Sequence, residues 1–124
     1  MARIRLDALA DAIGAELSSY GEEVTDEVKR VVKAAGEDCK NDIQRRSPKR
    51  TGKYRKGWRS TVAYEGADGI RVRVYNATDG QLTHLLENGH AKVGGGRVDG
   101  TPHILPAEQA VERELLQKLE EALQ

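Results

Sequence analysis

Residues 6–46 decide the fold, and they read LDALADAIGAELSSYGEEVTDEVKRVVKAAGEDCKNDIQRR. Apolar or small side chains recur along this stretch at intervals of 3, 4 and 4 residues, at Leu6, Leu9, Ile13, Leu17, Tyr20, Val24, Val28, Val31, Ala35 and Cys39. An apolar repeat of this period follows one side of a straight α-helix. The spacing predicts one long helix over 6–46, and the most favourable place for a break is the segment from Ser18 to Gly21.

The predicted helix is long for a chain of 124 residues. At 1.5 Å per residue it would span about 60 Å, whereas a compact domain of this size is only about 35 Å across. Either the helix bends, or its apolar stripe continues onto another subunit. The second possibility points to a protein that assembles.

The remaining segments alternate between turn-rich and periodic sequence. A basic loop is expected over 47–57, followed by an antiparallel hairpin over 58–76 with Trp58, Ser60, Val62 and Tyr64 on one face. A short helix is expected over 81–88, then a glycine-rich loop or loose hairpin over 90–105 and a last helix over 106–123. The sequence therefore predicts a single α+β domain over 1–124.

The composition limits the function classes. The chain carries 20 basic and 20 acidic side chains, whereas a protein that coats nucleic acid usually has a strong positive excess. Cys39 is the only cysteine, which excludes an internal disulfide and fits a reducing compartment. No stretch has the length and apolarity of a signal peptide or a membrane span, so we expect synthesis and folding in cytoplasm.

Charge is distributed unevenly along the chain. Ten acids and four bases lie within 7–42. The segment 45–59 has eight bases and no acid. Its bases are Arg45, Arg46, Lys49, Arg50, Lys53, Arg55, Lys56 and Arg59. Because so many like charges repel one another, we expect the segment to contact DNA phosphates or an acidic face of a neighbour. The alternative is a solvated loop without a partner.

A second candidate group combines His84, Glu87, His90 and His103. Imidazoles and a carboxylate are zinc ligands, but this spacing matches no compact metal motif. The structural alternative is that these side chains order the glycine-rich loop or lie at a subunit contact. We adopt the structural alternative, with no cofactor, no metal and no catalytic residue.

Three motifs appear in order along the chain, and each resembles an element of one known family. Residues 47–52 read SPKRTG after the first helix, residues 84–89 read HLLENG, and residues 102–107 read PHILPA at the start of the last helix. This succession resembles the small tail-component family of long-tailed double-stranded DNA bacteriophages and prophages. The likeness extends over roughly 5–123.

The resemblance implies a structural virion protein of the neck or tail, assembled in the cytoplasm of the host bacterium. In that family the implied role is a ring-forming tail-completion or head–tail joining subunit, through which DNA passes. Such rings are often six-fold, and their partners are further copies and adjacent neck or tail proteins. The resemblance implies no enzymatic activity and brings no catalytic residue to this chain.

Two other functions remain open on the sequence. One is a small nucleic-acid-binding module that uses the basic 45–59 segment, which would bind DNA as a monomer in a salt-sensitive manner. The other is a small metal-dependent hydrolase built on His84, Glu87, His90 and His103, which would contain stoichiometric metal.

Overall fold

A computed structural model describes residues 3–6, 13–16, 22–48 and 52–122, with side chains from Val24 onward. Its two long helices are α1, Glu22–Arg46, and α4, Ile104–Ala122. Between them the chain forms α2 (Lys53–Lys56) and the strands β3 (Trp58–Gly66) and β4 (Gly69–Asn76). A 3-10 turn (Gly80–Leu82) and α3 (Thr83–Asn88) follow. The short strands are β1, Arg3–Leu6, β2, Ile13–Glu16, β5, Gly89–Ala91, and β6, Arg97–Asp99.

The architecture is α+β, as the sequence predicts. A four-stranded antiparallel sheet has the order β1-β2-β4-β3, and β5 pairs with β6 in a separate two-stranded sheet. Helix α1 packs against β3 and β4 and also against α4. The core lies along these contacts, where Val28, Val32, Ile43, Val72 and Leu115 are almost completely buried.

The prediction of one helix over 6–46 is correct for Glu22–Arg46 and wrong at its beginning. Leu6 ends β1, and 13–16 form β2, which pairs with β1 and with β4. Pairing with an otherwise open strand of the sheet supplies backbone hydrogen bonds that the apolar period does not reveal, and Gly14 within the segment weakens the competing helix. The predicted helical residues 7–12 and 17–21 lie outside the described part of the chain.

Helix α1 approaches the sheet closely at Gly36. A Cβ atom at this position would lie 2.5 Å from Val72 Cγ1 and 2.9 Å from Ser60 Oγ. Both distances are shorter than real Cβ contacts allow. Glycine therefore weakens the helix intrinsically but permits the packing on which the core depends.

The hairpin is present, but its strand β3 does not alternate as predicted. The register with β4 shifts between Val62 and Tyr64, so that Tyr64 pairs with Arg71 and Glu65 pairs with Ile70. Such a bulge moves the residues after it to the opposite face. Tyr64 consequently leaves the predicted apolar face, and Glu65 takes its place beside Lys33, at 3.0 Å.

Two further boundaries differ from the sequence prediction, and one predicted alternative is decided. The expected basic loop contains a single helical turn, α2, at Lys53–Lys56. Of the loop or loose hairpin predicted over 90–105, the structure has the hairpin β5–β6. The last helix begins at Ile104, before Pro106, because a carboxylate from another element caps its first turn, as described below.

Candidate assembly surfaces

Glu87 and His103, two residues of the predicted loop-ordering group, meet in the interior. One oxygen of the Glu87 carboxylate accepts hydrogen bonds from the backbone N–H groups of His103 at 2.7 Å and Ile104 at 2.9 Å, and the other accepts from Leu105 at 3.1 Å. These N–H groups belong to the start of α4 and have no partner within the helix. Glu87 therefore caps α4 from α3.

The pKa of the Glu87 carboxyl group is lowered by its position at the start of α4. Burial by itself raises the pKa of its carboxyl group, but the hydrogen bonds from His103, Ile104 and Leu105, together with the nearby His103 ring, hold the pKa below its usual value. The carboxylate form is the one that these donors require. The capping interaction is thus charge-assisted.

The His103 ring extends the interaction to α2. Its Nδ1 lies 2.7 Å from the carbonyl oxygen of Thr101 and 2.9 Å from Glu87 Oε1, and its Nε2 lies 2.6 Å from the Tyr54 hydroxyl. Because both neighbours of Nδ1 are acceptors, Nδ1 carries a hydrogen, and in the neutral ring Nε2 accepts from Tyr54. The ring is fully buried.

Trp58 and Ser47 complete the buried network. The rings of Tyr54, Trp58 and His103 contact one another edge to face, with centroid separations of 5.5 to 6.2 Å. Trp58 Nε1 donates to Ser47 Oγ at 3.0 Å, and Ser47 Oγ donates to the Ile43 carbonyl oxygen at 2.6 Å. Residues from all three sequence motifs therefore join in one structural network, which fixes α1, α2, α3 and α4 relative to one another.

The other two histidines do not take part. His84 and His90 are exposed, and within the described ranges no group of three or more His, Cys, Asp or Glu side chains is arranged to hold a metal ion. Cys39 is buried, and burial, with the charges of Glu108 and Asp42, raises the pKa of its thiol to about 12. A thiol held protonated in this way is a poor nucleophile.

The predicted basic segment divides into two groups. Arg45 and Arg46 both pair with Asp42 on the last turns of α1, and Lys53 pairs with Asp79 at 3.4 Å. Arg55 donates to the carbonyl oxygens of Gln44 at 3.0 Å and Arg45 at 3.2 Å, so it caps the end of α1. Lys56 is exposed. Arg59 is exposed too, and its Nη1 donates to the carbonyl oxygens of Lys56 at 2.7 Å and Trp58 at 2.9 Å. Lys49 and Arg50 lie outside the described residues.

The structure adds a basic surface that sequence reasoning missed. Cross-strand pairs place Arg59 with Tyr75, Thr61 with Arg73, and Tyr64 with Arg71 on the face of β3–β4 that points away from α1. The guanidinium of Arg73 lies 4.8 Å from the Tyr75 ring centroid. We call Arg59, Arg71 and Arg73 with these two tyrosines the outer sheet face. The alternation of arginines in β4 was a visible signal, but the bulge that adds Tyr64 was not.

An acidic surface lies on another side of α1. Helix α4 carries five glutamates and two basic residues, and Glu112, Glu114, Glu120 and Glu121 are exposed. Since α1 packs against both the sheet and α4, its body lies between this helix and the outer sheet face. Among the described residues, the outer sheet face is therefore basic, and the exposed side of α4 has more acidic than basic side chains.

The comparison with known proteins agrees with the resemblance of the motifs. A family model described as "Bacteriophage HK97-gp10, putative tail-component" matches residues 11–89. The chain belongs to the HK97-gp10-like family. No curated protein and no solved structure matches it.

Membership in the HK97-gp10-like family makes this chain a structural component of a bacteriophage tail, and so a virion protein whose neighbours are other tail proteins. The match includes the SPKRTG and HLLENG motifs, whereas the PHILPA motif lies beyond it. No helix in the described ranges is long and apolar enough to cross a bilayer.

Proposed function

We propose that this HK97-gp10-like protein forms a closed ring at the junction of phage head and tail, as a tail-completion or head–tail joining subunit, and that DNA passes through the ring. The observation that carries the proposal is the separation of charge in the folded domain. The outer sheet face holds Arg59, Arg71 and Arg73, while α4 holds five glutamates on another side of α1.

Charge placed in this way favours contacts between copies that repeat in one direction. A head-to-tail contact joins two different surfaces of the same chain, and it generates a ring when the rotation between copies closes. Opposite charges on the two surfaces increase the association rate and disfavour the wrong pairing of like surfaces. The net charge of zero fits a protein whose charges are paired in the assembly.

The basic segment extends the proposed contact. Lys56 is exposed beside Arg59, and Lys53 and Arg45 are also exposed despite their acidic neighbours. We therefore assign these residues to contact with a neighbouring copy or with DNA. Arg55 is assigned to the end of α1 and not to a partner.

Native mass spectrometry over a range of protein concentration and salt tests the proposal. We expect one closed oligomer, formed alone or after addition of the adjacent tail protein, and six copies is the expected number. Moderate salt should shift the equilibrium toward the monomer, because exposed charges are screened. A chain that remains monomeric under all these conditions contradicts the proposal.

A second candidate function is supported by the outer sheet face itself. Three arginines on neighbouring rows of two strands can each meet a phosphate, and tyrosine rings can stack on bases. A nucleic-acid-binding module would show salt-sensitive DNA binding by the monomer, lost when Arg71 and Arg73 are changed to Ser. The ring proposal requires no such binding by the monomer.

A further inference from the structure

The hairpin β5–β6 extends from the body of the domain as an arm. Every residue from His90 to Asp99 is exposed, and Val93 near the tip is fully exposed. Its two strands pair only with each other. An isolated two-stranded hairpin is at best marginally stable in water, so an arm of this kind gains stability from a partner.

The root of the arm is firmly held. Arg97 Nη2 donates to the Asn88 carbonyl oxygen at 2.6 Å, and the Thr101 N–H donates to the Leu86 carbonyl oxygen at 2.7 Å. Both anchors lie beside Glu87, which is itself fixed by the start of α4. The buried network therefore sets the direction in which the arm leaves the domain.

The tip combines one apolar side chain with one cation, Lys92, because the Arg97 guanidinium is turned back to the Asn88 carbonyl oxygen at the root. Lys92 and Val93 enter the turn, Arg97 leaves it, and Gly94 to Gly96 between them all have positive φ, at 92°, 110° and 83°. Only glycine adopts such a run without strain. The turn consequently presents Val93 beside three glycines, with Lys92 as the neighbouring cation.

A groove between α1 and α4 has the complementary character. Its volume is about 350 Å³, and its apolar lining consists of the partly exposed Ala110 and of the edges of Cys39, Ala107 and Val111, which are almost completely buried. Asp38, Asp42 and Glu114 add carboxylates. Arg45 and Arg46 pair with Asp42, and Lys118 lies 3.9 Å from Asp38, so Glu114 is the carboxylate that a cation of another copy can approach.

We infer that the β5–β6 arm of one copy docks in the α1–α4 groove of the next copy, with Val93 against Ala110 and Lys92 toward Glu114. The partner is a second copy of this chain because both complementary surfaces belong to it. A contact between two different surfaces is head-to-tail, as ring closure requires. This inference rests on the proposed function, since it supplies one of the contacts within the ring.

Disulfide trapping between two single variants tests the contact. Val93→Cys protein, labelled with heavy isotopes, is mixed with unlabelled Ala110→Cys protein and treated with a mild oxidant. Thr61→Cys replaces Ala110→Cys in the control, because Thr61 lies on the outer sheet face, away from α4. A docked pair holds its thiols at about millimolar effective concentration, so the groove pair should give at least about tenfold more labelled–unlabelled dimer than the control pair.

A second variant measures the contribution of the tip. Val93→Ser leaves the buried core unchanged, and it should raise the concentration needed for half assembly by about tenfold. Equal disulfide yields for the groove and control pairs, with assembly intact in Val93→Ser, would overturn the arm contact and leave the ring proposal standing. A chain that forms no oligomer at all contradicts the ring proposal and the arm contact with it.

Discussion

Glu87 Oε1 lies 2.9 Å from His103 Nδ1 and accepts the backbone N–H of the same residue at 2.7 Å, although 16 residues separate the two in the chain. This double contact holds the arm β5–β6 between two fixed points, because the arm consists of the residues in between. It also links two of the three sequence motifs, HLLENG and PHILPA. Glu87 and His103 thus support the shape of the proposed assembly surfaces from the interior of the domain.

Replacing Glu87 with Gln tests the cap and its dependence on pH. The pKa of Glu87 is lowered by folding from 4.5, so its contribution to stability is complete above pH 4.5 and is lost as the pH falls through the lowered value. We expect Glu87→Gln to reduce the free energy of unfolding by about 2 kcal/mol at neutral pH. In urea titrations at decreasing pH, the difference from the unmodified protein should shrink below pH 4.5. A difference that is constant with pH would show that the charge of Glu87 has no role.

Replacing Tyr54 with Phe tests the hydroxyl that reaches His103. Loss of this partner leaves the buried Nε2 without a hydrogen bond, which should cost about 1–3 kcal/mol of unfolding free energy. Tyr75→Phe is the matched control, because Tyr75 lies on the outer sheet face, and its effect should stay within about 0.5 kcal/mol. Equal effects of the two variants in urea unfolding would contradict the network.

The two glycines Gly36 and Gly80 should respond to alanine in opposite ways. Gly36→Ala places a methyl group against Val72 and Ser60 and should destabilise the domain by about 1–3 kcal/mol, in spite of the better helix propensity of alanine. Gly80 has open space around its Cβ position, so Gly80→Ala should be neutral or stabilise by up to about 1 kcal/mol. Thermal unfolding of both variants measures the difference. A neutral Gly36→Ala would mean that α1 does not approach the sheet so closely.

Arg55 and Lys56 are neighbours with different expected roles. Arg55→Ser removes the donors that satisfy the last carbonyl groups of α1, and should lower the unfolding free energy by about 1 kcal/mol. Lys56→Ser should leave stability unchanged within about 0.5 kcal/mol and weaken assembly, which sedimentation at low salt would detect. If Arg55→Ser weakens assembly and Lys56→Ser does not, the assignment of Arg55 to stability and Lys56 to assembly is wrong.

The sequence predicts an element correctly where the apolar period of its side chains matches the burial that those side chains have in the fold. The α1 stripe from Val24 to Cys39 and the buried alternation of Ile70, Val72 and Val74 both appear in the structure. The helical period of the apolar residues gives a wrong prediction at Leu6 and at 13–16, which are strands. Their pairing with each other and with β4 depends on partners elsewhere in the chain. The strand alternation gives a wrong prediction after Val62, where one extra residue exchanges the two faces of β3.

The candidate sites were predicted in the same partial way. Sequence reasoning grouped His84, Glu87, His90 and His103, but only the fold shows that Glu87 and His103 meet and that Tyr54 completes the contact. A carboxylate that caps a helix from another element leaves no local signal, since capping signals lie within a few residues of the helix start. The outer sheet face likewise requires the register of two strands.

A charge exchange between the two proposed surfaces tests the central claim most directly. Arg71→Glu with Arg73→Glu should abolish the closed oligomer in native mass spectrometry, and Glu112→Lys with Glu120→Lys should do the same, because each change brings like charges together. The chain that carries all four substitutions should assemble again, since the charges of both surfaces are then exchanged. If the chain with all four substitutions assembles no better than the chains with either pair, α4 and the outer sheet face of neighbouring copies do not contact each other. The proposed ring closure is then wrong.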